Sequence, residues 1–256
     1  MVEVHVVPAL TDNYIHILHD AAHGITAVVD PGEAGPVRAF LTDRGWRLTH
    51  ILATHHHGDH IGGINDLRAD SHAMLIGPKA EMERIPEMDA TYGDGDSFTL
   101  GSQTVRVFDT PGHTRGHCAF FCEEARLLFS GDTLFSLGCG RLFEGTAAQM
   151  WDSLLKLRAL PPETRIYCGH EYTASNARFA LSIDPDNLPL KARAEQVAAL
   201  RAKGLPSIPA RLSDELAANP FLRADDPLLA AHFGLTGAPH ASIFAAIRKA
   251  KDDFRG

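Results

Sequence analysis

Between His55 and His60 the chain carries four imidazoles and one carboxylate in six consecutive positions, inside the stretch Thr54-His55-His56-His57-Gly58-Asp59-His60. Imidazole and carboxylate together suit zinc, iron or manganese, and the lack of a nearby cysteine argues against a structural thiolate zinc site. Alternating side-chain direction lets His55 and His57 reach one ion from an extended segment. Beyond the bend at Gly58, Asp59 and His60 can point elsewhere, so the stretch can serve two neighbouring ions. A histidine tract can also be a surface accident. Its position after an apolar run, His50-Ile51-Leu52-Ala53, speaks against that reading.

Three later segments repeat the pattern of a short apolar strand, a glycine and a ligand-type side chain. Val105 to Phe108 runs into Asp109-Thr110-Pro111-Gly112-His113-Thr114-Arg115-Gly116-His117, Leu127 to Phe129 into Ser130-Gly131-Asp132-Thr133, and Arg165 to Cys168 into Gly169-His170-Glu171-Tyr172. Taken singly, Asp132 could cap a helix, His113 or His170 could be hydrogen-bonded core residues, and Asp30 could form a turn. Together, beside the first cluster, they point to a shared centre. The simplest assignment gives one ion His55, His57 and His113 and a second ion Asp59, His60 and His170, with Asp132 bridging. Asp59 and Asp132 are read as catalytic as well as ligating. Paired ions share a hydroxide formed near neutral pH, which attacks an ester, thioester, amide or phosphoester without any Ser or Cys nucleophile. Asp30 is expected to accept the outer N–H of a ligand histidine.

The elements that must hold these side chains are legible in outline. Val2 to Val7, Ile15 to Leu18, Ile25 to Val29, His50 to Ala53 and Ala73 to Ile76 read as strands, as do Ser97–Leu100 and Gln103–Phe108. Tyr92 to Asp96 reads as a turn. Pro36 to Gly45 has helical patterning with Gly45 as C-cap, a short helix is expected around Ile64 to Arg68, and Lys79 to Ile85 reads as a short turn or helix. After Tyr172 there is no further Cys, Tyr or Trp, and Ala, Leu and charged residues recur with helical periodicity. Helices are expected at Ser175–Ile183, Leu190–Lys203, Ser213–Ala218, Pro227–Phe233 and Ala241–Phe254. The expected organisation is therefore a metal domain over residues 1–172 and a helical appendage over residues 173–256.

A chain of 256 residues with 45% hydrophobic and 22% charged residues has ample core for a globular protein. The net charge of -8 gives no general support for binding nucleic acid or an anionic membrane, so an anionic substrate needs a local positive patch. The start, Met1-Val2-Glu3-Val4-His5-Val6-Val7-Pro8, is too short and polar for a signal peptide, and no apolar run approaches membrane-spanning length. The cytoplasm is the expected location and a monomer the expected state. Cys118 and Cys122 fall in one strand about 13 Å apart, too far to bridge. Reduced thiols at Cys118, Cys122, Cys139 and Cys168 fit a reducing compartment.

The four metal-type motifs resemble those of the metallo-β-lactamase superfamily. Within it, Leu137-Gly138-Cys139-Gly140-Arg141-Leu142-Phe143-Glu144-Gly145, Asn219-Pro220-Phe221-Leu222-Arg223 and the terminal Ile247-Arg248-Lys249-Ala250-Lys251-Asp252-Asp253-Phe254 resemble the glyoxalase II (hydroxyacylglutathione hydrolase) family. The resemblance implies an α/β fold, an αββα sandwich with a C-terminal helical domain. It also implies hydrolysis of S-D-lactoylglutathione to D-lactate and glutathione, the second step of methylglyoxal detoxification. The family's ligands fall on His55, His57, Asp59, His60, His113, Asp132 and His170, with two divalent ions per chain: zinc, or else iron or manganese. Its glutathione contacts fall on Arg141, Phe143, Tyr172, Arg248 and Lys251. Spacing adds that Arg248 and Lys251, three apart, share a helix face. The family often has lysine at Arg141 and tyrosine at Phe143, and Phe143 lacks the hydroxyl with which the tyrosine would bond the tripeptide. The alternatives are a persulfide dioxygenase-like iron oxidoreductase or another hydrolase on the same scaffold, such as a lactonase or phosphodiesterase.

Overall fold

The computed structural model describes residues 2–85 and 87–256. Met1, where the reading of the chain's start begins, lies outside the described residues. The chain divides into two compact units: the first runs to Asp109 and includes Gly116–Gly131, and the second is Thr110–Arg115 with Asp132–Gly256.

In the first unit, β1 (Glu3–Ala9) and β2 (Asn13–Asp20) pair antiparallel, and β3 (Ile25–Val29) adds to β2 in the same sense. Helix α1 (Ala34–Arg44) then crosses over, so that β4 (His50–Leu52) lies parallel to β3 with Val29 opposite Leu52. A parallel neighbour requires such a crossover. Gly45 closes α1 in the left-handed region, φ 65, as the sequence pattern predicts. After the His55 motif come α2 (Gly58–Ile61), α3 (Ile64–Ser71) and the parallel strands β5 (Met74–Pro78) and β6 (Ala90–Tyr92). The helices bury Val37, Leu41, Ile64 and Leu67 in one core with Ile15, Ile17, Val28, Ile51 and Leu75 of the sheet. The remaining strands of this unit, β7 (Ser97–Leu100), β8 (Gln103–Asp109), β9 (Cys118–Cys122) and β10 (Leu127–Gly131), form an antiparallel ladder. Every residue of β9 is buried, the mark of a strand covered on both faces. His16 of β2 meets Phe129 of β10 with ring centroids 5.8 Å apart, so sheet packs on sheet within this unit.

This order explains where chemistry collects. β3 leads into Asp30 and its parallel neighbour β4 into Thr54, which brings the two loops side by side at the strands' carboxyl ends. Tyr92 is a correction to the sequence reading: it ends β6 through pairing with Pro78, a three-residue strand too short for its pattern to show.

The second unit opens with a tight hairpin, β11 (Leu134–Phe135) and β12 (Gly138–Cys139). Helix α4 (Ala147–Arg158) follows; no helix was expected there, although Thr146 and Gln149 form a capping box that the sequence carries openly. Then come β13 (Arg165–Cys168), α5 (Thr173–Ile183), α6 (Leu188–Ala202), β14 (Ala210–Arg211), α7 (Leu212–Ala218), α8 (Pro227–His232) and α9 (His240–Asp253). These five C-terminal helices stand where periodicity puts them, with ends shifted by a residue or two. Among the described residues no helix is long and apolar enough to cross a membrane. All four cysteines are buried and outside disulfides.

Candidate metal centre

In the first unit the metal-type side chains are held from behind by hydrogen bonds that fix which ring nitrogen is exposed. The Asp30 carboxylate accepts from the Thr54 N–H and the Thr54 hydroxyl, both at 2.7 Å, and its Oδ2 lies 3.1 Å from Nδ1 of His60. A carboxylate can only accept, so His60 carries its proton on Nδ1 and presents Nε2 as a lone pair. Thr54 Oγ1, having spent its hydrogen on Asp30, stands 3.0 Å from Nδ1 of His55, which leaves Nε2 of His55 open in the same way. That Nε2 is 3.1 Å from Nδ1 of His57. Two nitrogens bound to one tetrahedral zinc at its usual bond length stand about 3.3 Å apart, so this pair fits one ion. Asp59 Oδ2 lies 3.5 Å from Nε2 of His60 and accepts from Nδ2 of Asn13 at 3.0 Å. Ligand-type atoms of Asp30, His55 and His60 also fall within 4.8 Å of one another, yet the Asp30 oxygens are already engaged by Thr54 and His60. Asp30 is thus placed as an acceptor behind His60 and Thr54.

His56 turns away from this set. Its Nδ1 is 3.1 Å from the buried carboxylate of Glu81, and Arg84 Nη1 is within 3.4 Å of its ring. His117 is fully buried, its ring 4.8 Å from that of His55.

The second unit assembles its own three donors. Nε2 of His113 and Nε2 of His170 each lie 3.4 Å from Oδ2 of Asp132, with all three residues buried. One carboxylate oxygen equidistant from two imidazoles suits a ligand shared by two ions. Nδ1 of His113 faces the Arg141 carbonyl at 2.9 Å, so its proton is placed there and Nε2 is open. The donor set, nitrogen and oxygen with no thiolate, fits zinc, iron or manganese. Burial pushes the thiols of Cys122 and Cys168 up to about 12 and that of Cys139 to about 11, which keeps them protonated and unreactive as nucleophiles at neutral pH.

The residues expected to touch substrate also lie in the second unit. Phe143 is 62% exposed, with its ring 5.2 Å from that of His113. Tyr172 stacks on His170, centroids 4.7 Å apart and planes 3° from parallel. Arg141 is exposed, whereas Arg248 is buried and donates from Nη1 to the Cys139 carbonyl at 2.8 Å and from Nη2 to Asp252 at 2.8 Å. Lys251 meets Ser175 Oγ at 3.0 Å. Burial and the cations Arg248, Arg178 and Arg141 lower the Lys251 ammonium to about 8. Sequence reasoning gave no role to Asn13, Thr54 or Glu81. Thr54 stood inside the motif and was in plain view, whereas nothing local marks Asn13 or Glu81.

Comparison with known proteins adds the family. A model of the metallo-beta-lactamase superfamily matches residues 20–170, and one of the hydroxyacylglutathione hydrolase C-terminus matches residues 171–254. The hydroxyacylglutathione hydrolase of Methylococcus capsulatus is 53% identical over 256 residues, the whole of both chains. That of Rhodospirillum rubrum is 51% identical over 252 residues, 98% of each. Among solved structures, the ETHE1 protein of Myxococcus xanthus is 24% identical, with a TM-score of 0.68 over 96% of this chain and 90% of that one. The B3 metallo-beta-lactamase BLEG-1 is 26% identical, with a TM-score of 0.59 over 66% of this chain and 91% of that one. The fold is accordingly the α/β metallo-β-lactamase fold, an αββα sandwich with a helical C-terminal region, and the chain belongs to the hydroxyacylglutathione hydrolase family within the metallo-β-lactamase superfamily.

Proposed function

We propose that this chain hydrolyses the thioester of S-D-lactoylglutathione, and of related S-2-hydroxyacylglutathiones, to the hydroxy acid and glutathione, as the second step of methylglyoxal detoxification. The observation that carries the reading is 53% identity, end to end, with a hydroxyacylglutathione hydrolase. The two matched regions, 20–170 and 171–254, support a metal-binding domain up to residue 172 followed by a helical glutathione-binding domain.

In this reading His55, His57 and His113 hold one divalent ion, Asp59, His60 and His170 hold another, and Asp132 is shared. Zinc is the first expectation for both, with iron or manganese as alternatives. Such a pair supplies Lewis acidity and activates water at neutral pH. The chain's residues do the rest. Asp30 and Thr54 keep the imidazoles of His60 and His55 in the tautomer that presents Nε2, and Asn13 aims Asp59. Arg141, Arg248 and Lys251 form the local cationic patch that a tripeptide with two carboxylates needs on a protein of net charge -8. Phe143 and Tyr172 offer ring faces beside His113 and His170. Phe143 has no hydroxyl, which removes a hydrogen bond to the tripeptide worth about 0.5–1.5 kcal/mol. We place the protein in the cytoplasm as a monomer without nucleic-acid or membrane partners, a reading its four unbridged thiols and acidic charge favour.

The test is loss of thioester absorbance from S-D-lactoylglutathione, before and after chelation, with metal analysis of the same sample. Rapid hydrolysis that stops on chelation and returns with metal is expected. Metal-replete protein that leaves the thioester intact would refute the reading.

A further inference from the structure

The turn of the β11–β12 hairpin is Ser136-Leu137, a pair that does not favour so tight a turn. Leu137 sits at φ 57, a left-handed conformation that a bulky residue keeps only when its surroundings impose it. Two groups of contacts impose it here. Its side chain is fully buried in a cluster with Ala177, Ala180, Leu190 and Ala218. Its N–H donates to Oε2 of Glu215 at 2.7 Å, while the Ser136 hydroxyl donates to Oε1 at 2.7 Å. One helical turn further along α7, Nδ2 of Asn219 lies 3.1 Å from the carbonyls of both Phe135 and Gly138. Glu215 is completely buried, and Arg193, with Nη2 3.2 Å from Ser136 Oγ, supplies the opposite charge.

Burying a carboxylate costs dehydration that an apolar residue of the same size avoids. What the carboxylate supplies is a pair of acceptors at the hairpin turn. Beyond β12 the chain passes directly into Arg141 and Phe143, and Arg248 donates to the Cys139 carbonyl of the same hairpin. Three of the groups assigned to glutathione therefore hang from this one mount.

We propose that Glu215, with Asn219, is a positioning residue for glutathione recognition: it latches the Leu134–Cys139 hairpin in the one shape that presents Arg141, Phe143 and Arg248. This rests on the function proposed above. Glu215→Gln keeps the volume but turns an N–H2 toward Leu137 N–H or Ser136. It should raise KM for S-D-lactoylglutathione about tenfold with kcat within about threefold of wild type, the pattern of lost binding rather than lost transition-state contact. Glu215→Ala should raise KM further, and if it fails to fold, the Gln variant decides. A folded Glu215→Gln enzyme with wild-type KM overturns the proposal, whatever its melting temperature. Amide hydrogen exchange across residues 134–143 reads the latch without turnover. Faster exchange in the variant supports the latch even if wild type proves inactive, in which case only the proposed function falls, and unchanged exchange overturns the latch.

Discussion

Nδ1 of His60 and Oδ2 of Asp30 stand 3.1 Å apart, with both side chains buried and Asp30 itself held at φ 51. A carboxylate behind a ligand imidazole fixes both tautomer and ring plane. Replacing such a partner lowers metal affinity by about tenfold to a hundredfold. Asp30→Ala should show that loss in competition with a calibrated chelator, along with lower turnover at limiting metal. Full occupancy and full turnover in the variant would remove Asp30 from the centre.

Gly140 is the second point at which geometry leaves no freedom. A Cβ added there would fall 1.9 Å from the Asp132 carbonyl oxygen and 3.3 Å from Nδ1 of His113. The first contact is with backbone, which cannot swing aside. Gly140→Ala should cost about 1–3 kcal/mol of stability as an overpacked substitution. It should also lower metal content, because the strain falls on two of the proposed ligands, Asp132 and His113. A variant with wild-type melting temperature and metal content would show that this loop is not in tight register with Asp132.

The cationic patch predicts a pH effect with a definite sign. Burial and the neighbouring Arg248, Arg178 and Arg141 lower Lys251 from its usual 10.5 to about 8. The ammonium is charged below that value and neutral above it, and a bound carboxylate favours the charged form. Glutathione affinity should therefore be full below about 8 and fall as pH rises through it, with KM rising and kcat largely unaffected. Lys251→Arg should abolish that limb, since guanidinium stays charged. Removing the charge at Arg248 should raise KM at all pH values, and removing it at Lys251 should raise KM below about 8, where the wild-type ammonium is charged. Loss of kcat with unchanged KM would place these residues outside the substrate site.

The candidate ligands are more legible in the sequence than the scaffold that holds them. His55, His57, Asp59 and His60 sit in one contiguous stretch, and His113, Asp132 and His170 each follow an apolar strand and a glycine, so chemistry and local structure agree at each of them. Asp30 is legible as a candidate because it directly follows β3, a turn former after a buried strand. Asn13 is not, since only the folded hairpin brings it against Asp59, forty-six residues away in sequence. The β11–β12 hairpin escaped for a different reason: its Ser136-Leu137 turn contradicts local preference and is imposed by Glu215 from α7. Arg248 was expected to meet substrate from a helix face shared with Lys251. It is buried, bonded to Cys139 and Asp252, so one face of α9 serves packing and charge together.

Metal-free protein titrated with zinc, with hydrolysis of S-D-lactoylglutathione followed at each addition, tests the central claim most directly. Turnover should be negligible at the start, rise as the sites fill and level at two ions per chain. A plateau at one ion, or hydrolysis indifferent to metal, would contradict a centre built jointly by His55, His57, Asp59, His60, His113, Asp132 and His170.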